Sequence, residues 1–498
     1  MYLVLIPVAI LIYQLLHLLY TTLRTRSLRS IPGPLIARFT KLWYFDRVRR
    51  GHFEEDNIRL HETYGPVVRI APDHYTICDR AAVKQVYGTG SKFTKSAWYE
   101  GWKHPSPDRW TLFPDRNVKR HAETRKRYSA LYSMSSLVHY EAFVDQCADI
   151  FATRLNEYAE RKGSLNLGHW FQCYAFDVIG DITFGQRFGF LDKGEDIEGT
   201  IAALEKTMVY STLIGIYPEW HPRLFGPLSR FRWSGAGGRA YIMKFVQEKI
   251  RQHNEHPKRN LEDGALQTQD FVEKMITARD KNPDKVTDYH VFMLGQSNVI
   301  AGSDTTSISL SAIMYHLLHN PEVLEKLRSE IDEFTAQGRC SAQVTFKESQ
   351  EMPYFQAVMK EALRMHSAVG LPLWRVVPAG GAEISGHFFP EGTTVGVNGW
   401  VAHYDEEIFP DAKRFRPERW LEAESDPERL KVMNDMYMPF GLGSRTCLGK
   451  HISILEMSKL IPRLVRDFDF VTTGEKWDTQ NHWFVKPTNF IVDVHRRV

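Results

Sequence analysis

One cysteine stands in an unusual setting. The run Phe440-Gly441-Leu442-Gly443-Ser444-Arg445-Thr446-Cys447-Leu448-Gly449 places Cys447 in a glycine-rich loop, two residues after an arginine and just ahead of an apolar, helix-like segment. A thiolate there can bind iron from one face of a flat macrocycle. Gly443 and Gly449 let backbone approach such a ring where a side chain would collide with it. Phe440 can shield the sulfur from water, and Arg445 can offer a forked cation to an anionic propionate. A lone cysteine is ordinarily an inert buried thiol. The length and spacing of Phe-x-x-Gly-x-Arg-x-Cys-x-Gly argue for a ligand instead.

Other chemistry-bearing residues are scattered upstream. Ala301-Gly302-Ser303-Asp304-Thr305-Thr306 puts an acid and an alcohol in the middle of an apolar stretch. A mid-helix glycine costs about 1 kcal/mol relative to alanine, and the hydroxyls compete for backbone carbonyls. The bland expectation is an interrupted helix, kinked for packing. Glu361 and Arg364 are three apart and share one helical face, ordinarily a solvated ion pair. Phe415-Arg416-Pro417-Glu418-Arg419-Trp420 follows downstream. His121 and Arg125, four apart, also share a helical face, and Arg375 lies in Leu373-Trp374-Arg375-Val376-Val377-Pro378. Singly, each of these is more simply a surface cation.

Taken together and in this order, the motifs resemble the cytochrome P-450 family, the haem-thiolate monooxygenases, from about residue 31 to the C-terminus. The stretch from Pro439 through Lys450, with Ile454-Leu455-Glu456 after it, looks like the fungal pisatin demethylase-like group. Lys450 replaces the arginine or glutamine common elsewhere in the family. The resemblance implies a P-450 fold, mostly α with a smaller β portion, as a helical bundle around a buried haem. It implies Cys447 as the axial ligand of haem b (iron protoporphyrin IX). It makes the Ala301–Thr306 string the oxygen-activation helix, where glycine lets the helix open beside O2, Thr305 hydrogen-bonds the oxygen and Asp304 relays protons. Reduction of O2 needs protons delivered without flooding the site with water. Glu361, Arg364 and Arg419 would form the network that fixes the cysteine loop. His121, Arg125 and Arg375 would contact the propionates, with His121 standing where tryptophan is commoner.

The implied activity is monooxygenation of an apolar organic small molecule, by hydroxylation or O-demethylation, as a tailoring step in fungal secondary metabolism. Oxidative ring coupling, desaturation, rearrangement and a non-catalytic haem protein stay open as alternatives. Trp110, Phe113, Asn298, Ala301, Val369 and Leu371 are expected at the pocket, with Trp98, Trp102, Met208, Tyr210, Ile214 and Tyr217 as further material. The aromatic excess suits a large apolar, ring-containing substrate.

These residues need elements to hold them. Apolar residues at helical spacing predict helices over 141–161, 169–185, 238–256, 289–319 and 321–337, and strands within 66–78 and 370–401. No linker or repeat divides the 498 residues. No Gly-x-Gly-x-x-Gly follows a strand, so electrons are expected from NADPH through a separate reductase, with cytochrome b5 as a second donor. Arg116, Lys119, Arg120, Lys126 and Arg127 cluster around the His121–Arg125 pair and suit docking of an acidic flavoprotein reductase. A net charge of +3 gives no footprint for nucleic acid. The five cysteines lie far apart, which argues against a disulfide framework or structural zinc.

Residues 1–20 are nearly all apolar, and Arg24, Arg26 and Arg29 follow with no acidic residue before Asp46. This reads as a transmembrane signal-anchor in the endoplasmic reticulum membrane, single-pass, with the basic flank and the body cytosolic. The rival cleaved signal peptide would want a basic start and a small-residue cleavage site. A basic, Pro-rich linker is expected over 21–37 and the catalytic domain over 38–498.

Overall fold

The computed structural model describes residues 20–21, 23–255, 269–474 and 477–497. The expected membrane anchor falls on 1–20 and, but for Tyr20, lies outside the described residues. Among the described residues no helix is long and apolar enough to cross a membrane.

The helix Asp288–Leu318 runs through the body, about 46 Å at the standard rise. Its apolar residues are not confined to one stripe, and Val291, Leu294, Val299, Ile308, Leu310 and Ile313 are all buried. A helix apolar on every side must be surrounded. It packs against Leu167–Phe184, Pro353–Met365 and Lys450–Asp467. Thr287 opens it with a capping box completed by His290. The expected interruption is absent: the segment is helical throughout. Gly302 serves packing instead, because a Cβ there would lie 2.7 Å from Ile179 Cγ1 of the Leu167–Phe184 helix.

The β portion is small and built from distant pieces. One five-stranded sheet has the order Val67–Ala71, His74–Ile77, Thr394–Gly396, Arg375–Val376, Thr94–Lys95. All neighbours are antiparallel except His74–Ile77 with Thr394–Gly396. In the last pair Lys95 stands directly opposite Arg375. Near the C-terminus Thr479–His482 and Phe484–Pro487 form a hairpin in which His482 pairs with Phe484, leaving Trp483 alone at the tip. Trp483 has φ of 85°, the left-handed region that a bulky side chain avoids. Its carbonyl accepts from Gly370 N at 2.9 Å, and Val369 bridges Phe484.

The Pro-rich stretch is docked rather than free. Leu28 and Ile31 are buried, and Arg69 N donates to Pro32 O at 2.8 Å, against the sheet edge.

Candidate functional site

The Cys447 loop is held from three sides. Cys447 N donates to Phe440 O at 2.8 Å, closing the loop on itself. Arg125 Nη1 donates to Thr446 O at 2.8 Å, and Arg445 Nη1 to Asp115 O at 2.9 Å. Gly443 has φ of 59°, and a Cβ there would sit 1.9 Å from Tyr87 O. That glycine is required by neighbouring protein backbone, where a ring had been expected. Gly449 differs, since a Cβ there would meet only Cys447 Sγ, at 4.0 Å, leaving open space beside the sulfur. Cys447 has open surface although the body surrounds it. Burial pushes its thiol up, while the N–H groups of Gly449 and Lys450 and the charges of Arg125 and Lys450 pull it down. The Lys450–Asp467 helix thus turns its positive end toward the sulfur.

Behind the loop lies a fully buried ion triad. Glu361, Arg364 and Arg419 are each 0% exposed. The carboxylate accepts from Arg364 Nε (2.9 Å) and Nη2 (2.8 Å), Arg419 Nε (2.9 Å), Trp420 Nε1 (3.0 Å) and Arg416 N (3.2 Å). The guanidinium groups spend their remaining donors on backbone: Arg364 on His403 O, Arg419 on Pro410 O, Asp411 O and Arg414 O. Every charge is satisfied, which a desolvated network requires. It pins residues 403–419, and His403 Nε2 in turn accepts from Met438 N at 2.9 Å, two residues before Phe440 of the cysteine loop.

A second cluster is not balanced. Lys95 and Arg375 are both buried and directly opposed across the sheet, a destabilising arrangement for like charges. Arg375 Nη1 donates to Trp374 O at 3.0 Å and Leu373 O at 3.2 Å. Lys95 Nζ donates to Phe113 O and lies over the Tyr99 and Phe113 rings. Arg445 adds a third cation; burial and then Arg375 lower it to about 10. His121 is buried and held neutral, down at about 3, by burial and then by Arg445, Lys95 and Arg125. Asp115 is the acid that acts on this group, and it is already paired with Arg120 at 2.7 Å. A dianionic ligand would neutralise the excess. A planar group carrying two carboxylates and a metal that accepts a thiolate fits this donor set.

The acid and the alcohol sit mid-way along the central helix. Thr305 Oγ1 donates to Ala301 O at 2.7 Å, the back-bond of an alcohol to the preceding turn. Ala301 is exposed and Thr305 half-buried although the flanking turns are buried, so this face of the helix borders open space. Asp304 is buried and accepts from Gln172.

The expected pocket residues divide. Phe113 is 40% exposed and belongs to an aromatic cluster with Trp98, Tyr99, Trp102 and Trp483. Val369 is half-buried against that cluster, and Leu371 is wholly buried inside it. Ile300, beside Ala301, touches the same cluster. Asn298 and Trp110 are engaged by other side chains. The Asn298 amide is spent on Tyr132 (2.5 Å) and Thr183 (2.8 Å), and the Trp110 ring on Arg120, Tyr289 and His290. The cluster's centre, Trp483, and the cation Lys95 carry no local signal, and only the hairpin and the sheet pairing reveal them. A separate surface cleft of about 680 Å³, lined by His316, Glu406, Lys413 and Arg414, contains none of these residues.

The Cytochrome P450 family model matches residues 32–492, and the chain belongs to that family. A pisatin demethylase of Fusarium vanettenii is 38% identical over 490 residues, 97% of this chain and 91% of the relative. A cytochrome P450 monooxygenase of Aspergillus terreus is 37% identical over 89% of this chain and 90% of its own length. The Emericella nidulans monooxygenase cicH is 34% identical, covering 94% of both chains. The chain is a cytochrome P450 monooxygenase and uses haem and O2 as that family does.

Proposed function

We propose that Cys447 would hold the haem iron through its sulfur and that the unbalanced cations would seat the propionates, with Lys95 added to Arg125, Arg375 and Arg445. Neutral His121 would donate one N–H to the same carboxylates. The carrying observation is the Lys95–Arg375 pair, two buried cations placed face to face with no acid between them. When bound, haem supplies thiolate-supported iron that splits O2 and inserts one oxygen atom. The chain's own residues do the rest. Thr305 keeps its hydroxyl at the open face of the central helix, and the buried Asp304 carboxyl stands one residue away to relay protons. Phe440 and Leu448, half-buried against the core, help keep water from the sulfur. Glu361, Arg364 and Arg419 fix the backbone from which the loop departs.

The reading extends to an apolar, ring-containing organic molecule, oxidised by hydroxylation or O-demethylation in secondary metabolism. The aromatic wall around Phe113 and Trp483 and the named relatives support it. Electrons come from NADPH through a separate reductase, with cytochrome b5 as an accessory, docking on the Arg116–Arg127 basic face. The catalytic domain, 38–498, leans from the cytosol on the endoplasmic reticulum membrane through an anchor at 1–20 and the segment 21–37. Leu35, Ile36, Phe39 and Leu42 are exposed, and Lys41 Nζ beside them donates to Ile216 O at 3.3 Å, four residues before exposed Trp220. Such apolar surface fits lipid.

The test is direct. Reduced protein under carbon monoxide should show a strongly red-shifted Soret band. Incubation with reductase, NADPH and fungal extracts should give a product that has gained oxygen or lost methyl. A well-folded, haem-loaded protein without the shifted band would overturn the ligand assignment.

A further inference from the structure

Asp304 is buried, yet it is connected to the surface. Its Oδ1 accepts from Gln172 Nε2 at 2.5 Å and faces Lys486 Nζ at 3.6 Å. Lys486 Nζ reaches on to Glu205 Oε1 at 2.7 Å, and the Glu205 side chain is 52% exposed. One carboxylate oxygen, Oδ1, is thus held toward this chain of charges. Three separate elements meet here: Asp304 on the central helix, Lys486 on the C-terminal hairpin, and Glu205 on the helix Thr200–Ile216.

We propose that Lys486, backed by Glu205, is the link through which Asp304 is resupplied with protons from bulk water, with Lys486 acting as a positioning residue. This rests on the reading of Asp304 as the relay. Only protons move: Lys486 Nζ passes one to Asp304 Oδ1 and is recharged from solvent at Glu205, so one solvent proton arrives per transfer and two per O2 consumed. Lys486 and Glu205 are the titratable groups that act on Asp304, and Gln172 is its neutral neighbour. Burial raises the Asp304 carboxyl and Lys486 opposes that rise; the two carboxylates in turn hold Lys486 above its ordinary value against its own burial. Removing the ammonium should therefore leave Asp304 protonated at rest and slow to exchange.

The experiment uses the full-length, haem-loaded protein and the variants Lys486→Gln, Lys486→Arg, Glu205→Gln and Asp304→Asn. In the resting protein, Lys486→Gln should create a protonated-carboxyl stretch in difference infrared spectra that disappears in the double variant with Asp304→Asn. With reductase, turnover should fall about 10-fold at unchanged KM, with a solvent isotope effect about 2-fold larger. Lys486→Arg should restore both. Glu205→Gln, at an exposed position, gives the same isotope shift in smaller measure and carries the test if Lys486→Gln does not fold. Normal turnover in Asp304→Asn would sink the relay reading itself. A slow Asp304→Asn beside a Lys486→Gln with neither the infrared band nor the isotope shift would overturn the link alone.

Discussion

Replacing Glu361 with glutamine removes one charge from the most enclosed ion network in the molecule. Five donors converge on the carboxylate, and the amide offers a single oxygen and turns an N–H₂ group toward the others. Arg364 and Arg419, neither with any exposure, keep their charges without a counter-ion. Breaking a buried pair by removing one partner costs about 3–5 kcal/mol. A domain's whole stability is about 5–15 kcal/mol, so about a fifth or more is lost. The two guanidinium groups also carry the carbonyls of residues 403, 410, 411 and 414, so the backbone leading to Cys447 should loosen with them. The assay is haem per polypeptide after purification, beside urea unfolding followed by far-UV circular dichroism. The midpoint should drop at unchanged slope, and haem should be lost; Glu361→Ala and Arg364→Ala should do the same. Purified Glu361→Gln with full haem content and a stability loss under about 1 kcal/mol would refute the reasoning.

Cys447→Ser should fold and lose the red-shifted Soret band of the reduced carbon monoxide complex, while far-UV dichroism stays unchanged. Lys95→Met should raise the melting temperature of haem-free protein by relieving the Arg375 pair, and weaken haem retention about 10-fold, which a haem-transfer assay reads. Thr305→Ala should keep substrate binding while product formed per NADPH consumed falls about 10-fold, with Thr305→Ser recovering most of it. Glu54 is buried, and its carboxyl is pushed up by burial from 4.5 to about 8. The folded state therefore holds this proton when the unfolded chain has released it, so the contribution is present below pH 4.5 and lost as pH rises through 8. Glu54→Gln should gain stability over the parent at pH 9 and not at pH 4, measured by urea midpoints.

Local pattern carried much of this into view. The segments predicted at 141–161 and 289–319 emerge as Glu141–Arg161 and Asp288–Leu318, because helical spacing of apolar residues is a property of neighbours in sequence. The cysteine loop was legible for the same reason. Lys95 was not, since its significance is a pairing with Arg375 across 280 residues that exists only once the sheet forms. Gly302 and Gly443 show a different limit. Each was marked by its type, but the partner that demands glycine, Ile179 in one case and Tyr87 in the other, is a neighbour only in space. Asn298 lies three residues from Ala301, nearly one helical turn, yet its amide is satisfied by Tyr132 and Thr183; identity and spacing do not say which partner a polar group finds.

The hairpin that turns on Trp483 has a consequence for how such a molecule can diversify. Phe484 and Lys486 are two apart on one strand, so they share a face and move as a unit. The backbone at the tip already costs about 1–3 kcal/mol, and inserting a single residue there would relieve it while sending alternate side chains to the opposite side. One length change would then alter the wall beside Val369 and detach Lys486 from Asp304 together. Drift toward a new substrate at this corner therefore has to proceed by exchange of side chains at constant loop length.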